Sequence, residues 1–113
     1  MSEEEQRSVK ENLTEEELAI FDLLLKEQLS PDEREKVRKT AKELLAKLKQ
    51  EKLVLDWREK EQTRAGVKTT ISDILYDSLP EPTYTEKDCD IKGLEVYNFI
   101  FEHYIDAKNL AYN

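Results

Sequence analysis

The chain predicts an all-α fold, a small bundle of about four helices, on three observations. Apolar residues recur at three- and four-residue spacing rather than in alternation. Thr14, Ser30, Asp56 and Thr85 can each cap a helix, and each stands three positions ahead of an acidic residue. Only 2 glycines and 3 prolines interrupt the 113 residues, so turns are few. A chain of this length is one domain. Folding hides roughly two thirds of its unfolded surface, enough for one modest core.

The elements follow in order. Residues 1–12 hold only Val9 as an apolar residue after Met1, and read as a flexible acidic lead-in. The helical domain is expected over 13–113. Thr14 and Glu17 form a capping box, and Leu13 and Leu18 take the positions of a hydrophobic staple. Leu18, Phe21, Leu24, Leu25 and Leu29 continue the first helix, and Ile20 and Leu23 widen its apolar stripe. Ser30, Pro31 and Glu33 open the second helix, with Val37, Ala41, Leu44, Leu45 and Leu48 on one face. The very short link between these two favours an antiparallel pair. Asp56 is read as the cap of the third helix, with Trp57, Arg64, Val67, Ile71, Ile74 and Leu75 roughly on one side. Gly66 weakens that helix by about 1 kcal/mol relative to alanine. Pro80 and Pro82 end it. Thr85 and Asp88 start a fourth helix through Cys89, Val96, Phe99, Ile100 and Tyr104, and its end is rich in aromatic residues.

Charge is high and uneven. Charged residues make up 39% of the chain, against about 25% in an ordinary domain. The net charge of −8 divides as −6 over residues 1–30, +4 over 31–70 and −6 over 71–113. An acidic whole repels the phosphate backbone, so nonspecific nucleic-acid binding is not the default. The positive middle permits a local DNA contact, and suits equally a helix that pairs with the acidic segments on either side. One cysteine, Cys89, rules out an internal disulfide. No apolar run approaches the ~20 residues that span a bilayer, so no membrane is expected. The N-terminus has no signal-peptide pattern, and the cytoplasm is the expected compartment.

Little in the chain points to catalysis. His103 and Cys89 are each the only one of their kind, so a zinc site is not expected. Fourteen residues apart on one helix, they would be separated by ~21 Å, too far for a nucleophile and its base. Gly66 and Gly93 alone make no phosphate-binding loop. Pro31-Asp-Glu-Arg-Glu-Lys36 superficially resembles a nuclease motif, but its letters are contiguous at a helix start, where capping explains them. Catalytic, metal and cofactor-binding residues are therefore expected to be absent. Arg58, Lys60, Arg64 and Lys68 recur on the third helix and could face phosphate, although Glu59 and Glu61 interrupt them. Trp57 reads either as an anchor for a protein partner or as a core plug at a helix start.

The order of motifs carries a resemblance. Leu13-Thr-Glu-Glu-Glu-Leu-Ala-Ile-Phe-Asp-Leu-Leu comes first, then a Lys/Glu-rich helix from Arg38 to Leu48. Leu55-Asp-Trp and Gln62-Thr-Arg-Ala follow, then Ile74-Leu-Tyr, Leu79-Pro, Val96-Tyr and His103-Tyr. This resembles the C-terminal helical region of the R (restriction and translocation) subunit of type I restriction enzymes, over about residues 13–104. The resemblance implies a part of a larger subunit, an ATP-dependent type I site-specific deoxyribonuclease whose nuclease and motor domains lie elsewhere. ATP and magnesium are implied for that parent subunit and not for this part. The implied partners are the methyltransferase modification and specificity subunits and the parent's motor domains, with DNA reached through the complex. The residues expected to make contacts, or to support the local fold that does, are Trp57, Arg58, Arg64, Tyr97, Phe101 and Tyr104.

Three functional readings stand at this point. The first is an assembly module that docks the translocating endonuclease subunit onto the methyltransferase core. The second is a DNA-contacting module of the same subunit that uses the basic third helix. The third is an unrelated helical adaptor. Salt dependence separates docking from phosphate contact.

Overall fold

A computed structural model describes residues 13–54 and 56–104. The expected lead-in over 1–12 and the last part of the aromatic-rich end lie outside these residues. Four helices are present among the described residues: α1 (Glu15–Leu24), α2 (Pro31–Lys47), α3 (Glu61–Ser78) and α4 (Glu86–His103), with a π-helical turn, Leu48–Lys52, continuing α2. No strand occurs among the described residues. The fold is all-α, as the spacing of apolar residues predicts.

Local capping sets three of these four helix starts. Thr14, Ser30 and Thr85 each accept from the backbone N–H three residues on, and Glu17, Glu33 and Asp88 accept in return from the cap N–H. Each box satisfies two of the donors that a helix N-terminus leaves open. Pro31 occupies the first turn of α2, where its missing N–H costs nothing.

Two expected boundaries are corrected. The first helix stops at Leu24, because Leu25 turns extended (φ −62°, ψ 145°) and Gln28 adopts φ 62°. Leu25 and Leu29 keep the apolar spacing but pack on the core from the link between α1 and α2. The third helix does not begin at Asp56. Its N-cap is Lys60, which makes no side-chain cap bond, and Asp56 takes φ 62° in a turn. That turn is closed by Trp57 N–H to the Val54 carbonyl (3.1 Å) and Glu59 N–H to the Asp56 carbonyl (3.0 Å). It brings the Trp57 side chain fully into the core. Burial of the largest side chain in the chain outweighs one local cap signature.

The core is continuous across all the helices. Phe21 and Leu24 of α1 join Val37, Ala41 and Leu44 of α2, Val67, Ile71 and Leu75 of α3, and Val96 and Ile100 of α4. α1 packs on α2 and α4, and α3 packs on the same two. Polar bonds then clamp the α3–α4 linker to the end of α1. The buried Tyr84 hydroxyl donates to the Leu24 carbonyl (2.6 Å). Lys26 Nζ donates to the Thr83 carbonyl (2.7 Å) and to Asp88 Oδ2 (2.9 Å). Lys92 reaches the Leu25 carbonyl (3.3 Å). The carbonyls of Leu24 and Leu25, left open where α1 ends, thereby find partners.

Candidate interaction site around Trp57 and α4

Five of the six residues singled out in the sequence meet at one place. The Trp57 ring stands edge-on to Tyr97 (centroids 6.3 Å apart) and to Phe101 (5.9 Å). Arg58 Nη1 donates to the Phe101 carbonyl (2.9 Å), and its guanidinium lies 5.6 Å from the Phe101 ring centre. Arg64 Nη1 donates to the Arg58 carbonyl (2.7 Å), and the Thr63 hydroxyl donates to the Trp57 carbonyl (2.5 Å). The first turn of α3 thus holds the 56–60 turn against α4 by its backbone. Tyr104 is not part of this group. It is buried with Lys49 over its ring (5.8 Å), and Lys49 also pairs with Glu16 of α1 (2.6 Å).

Burial decides what each side chain can touch. Trp57 and Tyr104 are fully enclosed and Tyr97 nearly so, whereas Phe101 remains 37% exposed. Trp57 therefore occupies the core-plug position and supports Phe101 and Arg58 from behind. Its Nε1 is buried with no acceptor among the described residues. The basic stripe is also largely engaged. Arg58 and Arg64 donate to carbonyls, and Lys68 Nζ sits 4.8 Å from the Tyr97 ring centre. Lys60 stays exposed at the start of α3.

The outer face of α4 adds residues that the motif reading passed over. Ile91 is 47% and Leu94 57% exposed, and they continue the line of Phe101 along the helix. Asp90 flanks this stripe on one side, and Glu95 and Glu102 flank it on the other. Tyr76 of α3 is also exposed, and its hydroxyl bonds to the Asp90 carboxylate. That bond holds the Tyr76 phenol up to about 12. A groove of about 160 Å³ runs between α3 and α4, lined by Lys68, Ser72, Asp90, Gly93, Leu94 and Tyr97. The signal for this face was present in the spacing: Ile91 and Leu94 lie across the helix from Cys89, Val96 and Ile100.

The remaining chemistry is that of packing. Cys89 is buried, with Sγ 3.8 Å from the Leu75 carbonyl, and burial pushes its thiol up. His103 stacks edge-on to Phe99 (4.5 Å). Among the described residues no group of three or more His, Cys, Asp or Glu could hold a metal ion. Gly66 and Gly93 both lie inside helices at negative φ, so neither forms a loop that could cradle a nucleotide phosphate. No described helix is long and apolar enough to cross a membrane.

One family model matches residues 1–91, and its description is type I restriction enzyme HindI endonuclease subunit-like, C-terminal. The chain belongs to this family. The resemblance drawn from Asp56-Trp57 and Gln62-Thr-Arg-Ala65 points to the same place in the same kind of subunit. No curated protein and no solved structure gives a significant match. Within this type I restriction enzyme C-terminal domain, Trp57, Arg58 and Arg64 fall inside the matched span, and Leu94, Tyr97, Phe101 and Tyr104 follow it.

Proposed function

We propose that the chain is a non-catalytic assembly module of a type I restriction endonuclease R subunit. It docks the ATP-dependent DNA translocase and endonuclease subunit onto the methyltransferase core of modification and specificity subunits. The observation that carries this reading is the exposed line of Ile91, Leu94 and Phe101 on α4. Large apolar side chains aligned on one outer face cost solvation unless another surface covers them. Phe101 among them is backed by the buried Trp57 ring and held by Arg58 at its carbonyl and ring.

Contact with DNA is the second reading, and the third helix supplies its cations. Arg58 and Arg64 already serve backbone carbonyls, and Lys68 lies over an aromatic ring. A phosphate would have to displace those contacts in a chain of net charge −8. This favours docking.

The test is size-exclusion binding of the chain to the methyltransferase core from the same source at two salt concentrations, with a DNA duplex as a parallel partner. Co-elution with the core that survives high salt supports docking. Binding to DNA alone, lost at high salt, transfers the function to the basic residues of α3. Binding to neither overturns both readings.

A further inference from the structure

We infer that the α3–α4 groove and the outer face of α4 receive one amphipathic helix of a protein partner, an apolar side chain of which enters the groove while flanking Lys or Arg residues meet the acidic rims. This rests on the docking reading and names the chemistry of its partner. Gly93, in the lining of the groove, contributes no side chain to fill it. A Cβ placed at Gly93 would lie 3.6 Å from Leu75 Cδ1 and 3.8 Å from Ile71 Cγ2. Gly93, in the groove lining, therefore packs directly on the apolar core, and about 160 Å³ gives room for one aliphatic side chain such as leucine or methionine. From Ile91 to Phe101 the exposed stripe spans ten helical steps, ~15 Å on a helix, or about three turns of a partner laid along it.

Charge selects the partner. Lys68 in the groove lies over the Tyr97 ring and Lys87 is one turn ahead of Ile91, while Asp90 stands on one rim, Glu95 and Glu102 on the other, and α4 carries no Lys or Arg from Gly93 to its end. Lys92, just before, is directed to the Leu25 carbonyl. A second copy of this chain would bring the same acidic rims together, each copy carrying −8 overall. An apolar stripe bordered by Lys or Arg complements the rims instead.

The inference is tested with the full chain and the methyltransferase core as probe, by titration at two salt concentrations. Leu94→Asp removes the groove wall, and affinity is expected to fall about tenfold or more. Glu95→Lys with Glu102→Lys reverses one rim. It is expected to weaken binding several-fold and to reduce the salt dependence, with far-UV circular dichroism unchanged. If the wild-type chain binds the core and both variants bind equally well, this surface is not the contact and the inference fails while docking stands. If the rim reversal tightens binding, the basic-partner assignment is wrong. A concentration-dependent dimer of the chain that Leu94→Asp abolishes overturns the inference in favour of a second copy. Failure of the wild-type chain to bind the core removes the docking reading itself.

Discussion

Trp57 lies in a turn, with no helical ladder of its own, so its position depends on the groups around it. The ring is fully buried and edge-on to two aromatic rings of α4, and its backbone carbonyl accepts from Thr63. Trp57→Ala is expected to cost about 3–5 kcal/mol, the range for emptying a large aromatic site in a core. Trp57→Phe keeps a ring there and should cost distinctly less, since the lost indole N–H has no acceptor among the described residues. Urea unfolding followed by circular dichroism measures both. Equal losses would mean that the indole N–H carries an essential bond. Tyr84→Phe provides a second test at this scale. It strips the donor from the Leu24 carbonyl where α1 ends, and should cost about 1 kcal/mol. The importance of Trp57 was legible because it is the one tryptophan. The direction it faces was less so, since a lone aromatic residue at a segment start can plug a core, the reading its position favours, or meet a partner.

At the scale of elements, cap chemistry was the most legible feature. Thr14, Ser30 and Thr85 form reciprocal boxes with Glu17, Glu33 and Asp88 as their spacing predicts. Replacing any of the three caps by alanine is expected to lower stability by about 1 kcal/mol. Asp56 and Glu59 have the same spacing and form no box, because seating Trp57 in the core requires a turn at that point. A capping signature is local, and tertiary burial overrides it. The end of α1 was hidden for the converse reason: Leu25 and Leu29 preserve helical spacing while serving the core from a link. The π-helical turn over Leu48–Lys52 left no compositional mark. In the candidate site, Ile91 and Leu94 were masked by the stronger inner face of the same helix. Gly66 offers a test with the opposite sign. Nothing lies within 4 Å of a Cβ placed there, so Gly66→Ala should stabilise α3 by about 1 kcal/mol, read as a higher urea midpoint.

For the whole molecule, the uneven charge links segments far apart in sequence. Lys49, in the basic middle, pairs with Glu16 of α1, and Lys26 joins the end of α1 to the start of α4 through Asp88. Lys26, with the Thr85 backbone N–H, holds the Asp88 carboxyl down from 3.8 to about 2. Glu33 is lowered as well, chiefly by its bond from Thr83. A carboxyl depressed on folding adds stability above its unfolded value, and that stability disappears as pH falls through the folded value. The acid limb of stability is therefore expected to decline from about pH 4 toward pH 2. At the alkaline end, burial pushes the Tyr84 phenol from 10.0 up to about 12. A raised group contributes below its unfolded value, so that contribution declines from about pH 10 toward pH 12. Urea midpoints across the full pH range should trace a plateau between these limbs. Lys26→Ala should flatten the acid limb, because Asp88 then loses the main cause of its low value, while Tyr84→Phe should flatten only the alkaline one. If neither variant changes its limb, the linker is not clamped to α1 by these groups, and the contact between α1 and α4 rests on apolar packing alone.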